Sequence, residues 1–410
     1  MPSQPPKNFV PEPFTYHEEV ELQIDDLSNL GEGVGRIDGW VVMVPFALPG
    51  ERVRVRIWRN KKNYSDADLV EVLEASSERV EPPCPLFTEC GGCQYQHLHY
   101  EGQLRWKTSQ IRALLKHLGG LEVPVEPCRG SPAEYGYRSK LTPHFGKPRD
   151  GQLGPIGFQR YANRSIVDVP QCPIARPAIN AKLIEERARL RAVGPRKLKR
   201  GGTLLLREGA EGVTTDNKAT LTGRVGERTF QFIAGEFFQN NPHVLPLLVD
   251  YALEQAAAPG VDNLVDTYCG VGVFALCGAD RFEQVVGIEV SAQAITLAGA
   301  NARINGIRNA RFRAGSAEAI FAGLDLPPAE TAVLMDPPRR GSDEVFLSQL
   351  VAYGPARVVY VSCGPDTQAR DLKYLAAHGY AIERVQPFDL FPQTRHIENV
   401  VTLRKADTAG

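Results

Sequence analysis

Asn263-Leu-Val-Asp-Thr-Tyr-Cys-Gly-Val-Gly272 is the stretch from which the fold can be read. It opens on a short apolar run of the kind found in strands buried on both faces. Gly270 and Gly272 then make a loop whose backbone a ligand can approach closely, and a helix is expected from Val273. Downstream, Gln284-Val-Val-Gly-Ile-Glu289 reads as a second strand, and Ser291 as the cap of a helix ending at Asn305-Gly306. Ala332-Val-Leu-Met-Asp336 and Val358-Val-Tyr-Val-Ser-Cys363 continue the series. Strands in alternation with helices predict a parallel sheet covered on both faces, a doubly wound α/β domain.

Open sheets of this kind bind ligands beyond the carboxyl ends of their strands. Glu289, at the tip of the second strand, is placed to accept hydrogen bonds from a ribose. A nicotinamide fingerprint needs a third glycine, and Ala275 stands there instead. With Asp266 ahead of the glycines, the loop suits S-adenosylmethionine, which has an amino-acid tail and no pyrophosphate. Upstream, Gln239-Asn-Asn-Pro242 opens a helix with Asn241 as its expected cap.

Asp336 ends its strand before Pro337 and Pro338, which stiffen the backbone beside it. An aromatic residue after Asp-Pro-Pro would suit methylation of an exocyclic amine, and Arg339 argues against it. Cys363 ends the next strand on the turn Gly364-Pro365, with Asp366 and Thr367 as expected caps of the following helix. A lone cysteine is most often a small buried hydrophobe. This one shares an edge with Asp266, Glu289 and Asp336, and with Glu398 of the last strand segment. Cys363 is therefore a candidate nucleophile and Glu398 a candidate base.

Residues 1–14 are proline-rich and read as a disordered tail. Residues 15–76 show short alternating segments separated by glycine turns, the pattern of a small β-barrel. Arg52, Arg54 and Arg56 share one strand face, which is either a solvated surface or a strip that tracks phosphates. Cys84, Cys90 and Cys93 follow with Gly91-Gly92 between the last two, a spacing that can converge on one metal centre. Cys172 is the best fourth ligand and Cys128 its rival; four thiolates hold zinc or an iron–sulfur cluster. Tyr100 to Leu118 reads as an amphipathic helix stopped by Gly119-Gly120. Residues 121–235 add alternating pieces, a charged helix from Ala181 to Ala192, and a basic run of Arg189, Arg191, Arg196, Lys197, Lys199 and Arg200.

A chain of 410 residues predicts two or three domains, and a net charge of −1 confines any nucleic-acid surface to a local patch. No run approaches the roughly 18 apolar residues of a membrane span, and the start lacks an apolar signal core. A soluble cytoplasmic monomer is expected. Its eight cysteines are then ligands, nucleophiles or core residues rather than disulfides.

Leu30-Gly-Glu-Gly-Val-Gly-Arg36 and Val44-Pro-Phe-Ala-Leu-Pro-Gly-Glu51 resemble a TRAM domain, an OB-like RNA-binding barrel. Phe237-Phe-Gln-Asn-Asn241, Asp266-Thr-Tyr-Cys-Gly-Val-Gly272, Met335-Asp-Pro-Pro-Arg339, Ser362-Cys-Gly-Pro365 and His396-Ile-Glu398 resemble the RNA uracil-5-methyltransferases. The similarity runs from about residue 15 to 404 and is to the branch with a TRAM domain and a [4Fe-4S] cluster that modifies 23S rRNA. It implies a multidomain α/β protein: a TRAM barrel over 15–76, a central α+β iron–sulfur domain over 77–235, and a Rossmann-like, SAM-dependent catalytic domain over 236–410. The helix at about 97–120 is then expected to pack on the catalytic domain.

The resemblance implies that Cys363 adds to carbon 6 of a flipped-out uridine, that Glu398 removes the proton from carbon 5, and that Asp336 bonds the uracil edge. It places S-adenosylmethionine on Gln239, Tyr268, Gly270, Gly272, Glu289, Ser316 and Asp336, and the cluster on Cys84, Cys90, Cys93 and Cys172. The same reaction on tRNA is the nearest alternative, and a catalytically silent RNA-binding iron–sulfur protein the more distant one. Gly364 and Val273 stand where the family often has asparagine.

Overall fold

The computed structural model describes residues 4–149, 152–193, 200–315 and 320–406. These fall into two compact units. One holds the described residues up to Gln110 with Phe158–Val167 and Gln393–Arg395; the other holds Ile111–Gly157, Asp168–Pro392 and the chain from His396. The central domain expected over 77–235 is thus not a unit of its own. Its parts are shared between the two.

In the first unit β1 (Glu19–Leu27), β2 (Glu32–Ile37), β3 (Trp40–Pro45), β4 (Arg52–Asn60) and β5 (Tyr64–Glu74) close a barrel in the order β1-β2-β3-β5-β4. Alternation decides what faces inward: Val53, Val55 and Ile57 of β4 are fully buried with Val42, Val44 and Ala67. The arginines between them face outward, yet they are not a free cationic strip. Arg52 bonds Glu21 at 2.8 Å and Glu74 at 2.9 Å, and Arg54 bonds Glu71 at 2.8 Å. Arg56 bonds Glu19 at 2.6 Å, while Arg59 and Lys61 converge on Asp66 at 2.7 and 3.3 Å. Acids on both flanking strands neutralise the ladder, Glu19 and Glu21 by the same alternation on β1, and Glu71 and Glu74 through irregularities in the β4–β5 register.

The expected tail is also partly ordered. Phe14 packs into the barrel core, and the Asn60 side-chain amide donates to the carbonyls of Val10 and Phe14, both at 2.7 Å. After the barrel, α1 (Tyr100–Leu114) runs into a π-helical turn, Leu115–Gly119, stopped by Gly120 at φ +65°. Ile111 and Leu115 are buried with Leu372 and Leu375.

The second unit is built on a seven-stranded sheet. Its strands are β6 (Asn263–Thr267), β7 (Gln284–Glu289), β8 (Ala310–Ala314), β9 (Thr331–Met335), β10 (Arg357–Ser362), β11 (Tyr380–Phe388) and β12 (Glu398–Lys405), in the order β8-β7-β6-β9-β10-β12-β11. The helices of this unit are α2 (Pro177–Ala192), α3 (Leu245–Ala256), α4 (Val273–Gly278), α5 (Ala292–Ile304), α6 (Glu344–Tyr353) and α7 (Pro365–Ala377). Neighbouring strand residues divide between two cores: Leu264, Leu334 and Val359 pack with α3 and α4, and Val265, Val333 and Val358 with α6 and α7. Every residue of β6 and β9 is buried, as the apolar runs predict. The order reverses between β6 and β9, which opens a ligand crevice at their carboxyl ends.

Three local expectations shift. The sheet is not wholly parallel, since β12 runs antiparallel between β10 and β11. Helix α3 begins at Leu245, and Asn241 caps the turn before it by accepting from the N–H groups of His243 and Val244 at 3.0 and 3.3 Å. Helix α7 begins at Pro365 with no side-chain cap, because the Thr367 hydroxyl turns to the carbonyls of Gly364 and Arg339, both at 2.9 Å. No helix among the described residues is long and apolar enough to cross a membrane.

Candidate active site

The reversal of β12 is what completes the nucleophile's surroundings. Ser362, the last residue of β10, pairs with Asn399, so Glu398 at the start of β12 lies across from Cys363. A parallel final strand would have delivered its first residue to the opposite edge of the sheet. Asp336 follows β9, the strand next to β10. The electrostatics link the three: Glu398 and Asp336 both act on the Cys363 thiol, and Asp336 acts on Glu398.

Burial, then Glu398, then Asp336 push the Cys363 thiol up to about 11, against the pull of Arg339 beside it. The site does not lower the thiol as nucleophilic function at neutral pH would suggest, because burial leads the shift and the two carboxylates add to it. Glu398, 2% exposed, is raised well above the usual carboxylate range by burial and by Asp336. Burial alone pushes Asp336 up to about 7. Arg339 is the local counter-charge, and its guanidinium lies 2.6 Å from His396 Nδ1.

Gly364 has a physical account here. A Cβ at this position would stand 2.7 Å from the carbonyl oxygen of Arg339 and 2.9 Å from the Thr367 hydroxyl. The turn carrying Asp336 and Arg339 therefore rests against the backbone beside the nucleophile. It is braced from α7, where buried Asp371 accepts from the Ser342 N–H at 2.9 Å and the Tyr360 hydroxyl at 2.7 Å. Gly364→Asn is expected to displace that turn, costing about 1–3 kcal/mol of stability and lowering kcat. A thermal melt and steady-state kinetics check both.

Between β6 and α4 the loop adopts backbone conformations the sequence only partly announces. Gly270 and Gly272 have φ +53° and +89°, and Tyr268 takes φ +64° without being glycine. Glu289 braces the loop by accepting from the Gly270 N–H at 3.2 Å and from the Ser291 N–H at 3.0 Å. Asp266 is wholly buried and accepts from the Ala275 N–H at 2.9 Å through Oδ2, while Oδ1 has no hydrogen-bond partner. Burial raises Asp266 well above the usual range, and Asp336 and Glu289 add to it. An unpartnered buried acceptor among three carboxylates fits a ligand bearing an ammonium group, as S-adenosylmethionine does. Ser316 lies outside the described residues, as do Arg196, Lys197 and Lys199 of the basic run.

Gln239 sits on a segment held by a residue that sequence reasoning missed. Arg207 is 1% exposed and donates to the carbonyls of Phe238 at 2.9 Å and Gln239 at 3.4 Å, and to the Asn240 side chain. Its guanidinium lies over the Phe232 ring at 4.9 Å, and burial with nearby Arg138 pushes it down to about 10. One charged residue inside Thr203-Leu-Leu-Leu-Arg207 was the only sequence signal for it.

The cysteines are not gathered as expected. Among the described residues no group of three or more Cys, His, Asp or Glu side chains is placed to hold a metal ion. Cys84 and Cys90 are neighbours, and burial with Cys84 raises the Cys90 thiol. Cys172 belongs to the turn before α2, where its N–H and carbonyl are both bonded by Asn180 at 2.9 and 3.0 Å. The four-thiolate set is therefore not assembled in the described residues.

Comparison with known proteins identifies the family and agrees with the fold. Residues 214–406 match the family described as tRNA (Uracil-5-)-methyltransferase, and residues 14–70 match the TRAM domain. A tRNA (uracil(54)-C(5))-methyltransferase of Schizosaccharomyces pombe is 40% identical over 96% of this chain and 79% of its own. An uncharacterised RNA methyltransferase of Halalkalibacterium halodurans is 34% identical over 95% of this chain and 98% of its own. The crystal structure of Pyrococcus abyssi tRNA (uracil-54, C5)-methyltransferase in complex with S-adenosyl-L-homocysteine superposes with a TM-score of 0.69. It is 26% identical and covers 94% of this chain and all of that one.

Proposed function

Because this chain belongs to the RNA uracil-5-methyltransferases, we propose that it methylates carbon 5 of one uridine in RNA through a covalent adduct to Cys363. The observation that carries the reading is the convergence of Cys363, Asp336 and Glu398 at one edge of the sheet, beside the Asp266–Glu289 loop. S-adenosylmethionine, when bound, supplies a sulfonium methyl group.

The rest follows from the chain's own residues. The Cys363 sulfur bonds carbon 6 of the uracil, breaking its conjugation and leaving an enolate whose carbon 5 is nucleophilic. Asp336, poised near neutral pH, holds the uracil edge by a hydrogen bond. Once carbon 5 carries the methyl group, ionised Glu398 takes its remaining proton. The electron pair re-forms the ring double bond, and the Cys363 sulfur leaves. A raised pKa makes that carboxylate the stronger base when ionised. Gln239, Tyr268, Gly270, Gly272, Glu289 and Asp336 are the proposed cofactor contacts.

With its thiol pushed up to about 11, Cys363 is only ~0.01% thiolate at pH 7. Adduct formation with 5-fluorouridine RNA is therefore expected to speed up about tenfold per pH unit between pH 6.5 and 9. A single-turnover rate profile that is flat over this range would show that RNA binding, not deprotonation, limits the step.

Transfer RNA is the substrate that the Schizosaccharomyces pombe and Pyrococcus abyssi relatives' names support, and 23S rRNA the one that the sequence motifs suggest. Mass mapping of 5-methyluridine in both RNAs, from strains with and without the gene, distinguishes them. Unchanged 5-methyluridine in both RNAs overturns the proposal. A cluster on Cys84, Cys90, Cys93 and Cys172 rests on their spacing and on the resemblance, and carries no step above. Iron and sulfide in anaerobically purified protein would support it, and a colourless, iron-free sample would remove it.

A further inference from the structure

Helix α5 does more than cover the sheet. Asn301 and Asn305 are one helical turn apart, about 6 Å along the axis, close to the roughly 6.7 Å between alternate residues of a strand. Their amides pair with alternate residues of the strand Arg228–Ile233 as a neighbouring strand would. The Gln231 N–H donates to Asn301 Oδ1 at 2.7 Å and its carbonyl accepts from Asn301 Nδ2 at 3.1 Å. The Thr229 N–H donates to Asn305 Oδ1 at 2.9 Å and its carbonyl accepts from Asn305 Nδ2 at 2.7 Å.

Asn301 then makes one bond that Asn305 does not. Its Nδ2 also donates at 3.0 Å to the carbonyl of Val271, between the two glycines of the cofactor loop. Asn301 is fully buried and its partners are half-buried, so losing its amide removes three bonds that little solvent is placed to replace. The strand it holds leads directly into the segment Phe237–Asn241 that carries Gln239. The loop and that segment are two of the backbone stretches assigned to the cofactor.

We propose that Asn301 is a positioning residue that couples the glycine loop to the strand entering the Gln239 segment, so that both are set for the cofactor together. This rests on the reading of Asp266–Gly272 as the cofactor loop. Asn305 is the internal control, because it secures the same strand without touching the loop.

The test is calorimetric titration of S-adenosylhomocysteine into the full chain and its Asn301→Ala and Asn305→Ala variants, with a thermal melt of each. Asn301→Ala is expected to weaken binding at least tenfold. It should raise KM for S-adenosylmethionine similarly, with kcat at saturation falling less than threefold. Asn305→Ala should lower the melting temperature comparably, with affinity within twofold of wild type. Equal affinity loss in both variants, or none in Asn301→Ala, overturns the coupling. Wild type that fails to bind S-adenosylhomocysteine at all would instead refute the cofactor reading. Hydrogen exchange on wild type needs no variant: the ligand should slow exchange of the Gln231 amide along with the loop, by the reciprocity of coupled sites. Protection of the loop with residues 228–233 unchanged would also overturn it.

Discussion

Cys363→Ala is expected to abolish methyl transfer, and with it the denaturation-resistant complex that wild type forms with RNA carrying 5-fluorouridine. Fluorine at carbon 5 cannot be removed as a proton, so the wild-type adduct stalls at the point where Glu398 should act. Without the sulfur, carbon 5 never becomes nucleophilic, and losses for removed nucleophiles are ~10⁴-fold or larger. Of the other thiols of the second unit, Cys269 is buried against Gly287 and is raised well above the usual range by burial, with Asp266 and Glu289 adding to it. Gel-resolved adducts that form equally well with the alanine variant would move the nucleophile elsewhere.

Glu398→Gln should separate the two halves of the reaction. Attack and methyl transfer remain possible, but proton removal does not, so turnover falls by about 10²–10⁴-fold. The methylated adduct then accumulates on unmodified RNA, where wild type shows none. The same change should stabilise the fold. Glu398 has a folded-state pKa well above its unfolded value, so the native state binds the proton more tightly. Its favourable contribution is complete below about pH 4.5 and is lost as pH rises toward the folded pKa. Over that window wild type loses up to about 1.4 kcal/mol per pH unit, whereas an uncharged amide in its place loses nothing. Denaturant melts at pH 5 and pH 8 should therefore show the Glu398→Gln variant gaining on wild type as pH rises. A constant difference would mean that Glu398 is not raised.

Much of the site was legible because its signals are local. A buried apolar run, a glycine pair and an acid at the next strand's end identify a strand, a loop and an edge without any distant contact, as at Val265, Gly270 and Glu289. Cys363 could be placed at the same edge because Gly364-Pro365 ends its strand at once. The barrel was legible for the same reason, through the alternation of Val53, Val55 and Ile57.

What failed to read from sequence depends on partners far along the chain. The arginine ladder read equally as a solvated face or a phosphate-tracking strip, and only Glu19, Glu21, Glu71 and Glu74 on neighbouring strands decide for an ion-paired surface. The thiol of Cys363 is raised rather than lowered, first by burial and then by Glu398, which faces it across the sheet on a strand of reversed direction. Arg207 and Asn301 carry no motif, since each acts on backbone carbonyls, which any residue supplies. Sequence alone determined which chemical groups line the edge of this sheet. Only the tertiary structure decided their charge states and bracing, because electrostatic energy and hydrogen bonding depend on distance in space, and not along the chain.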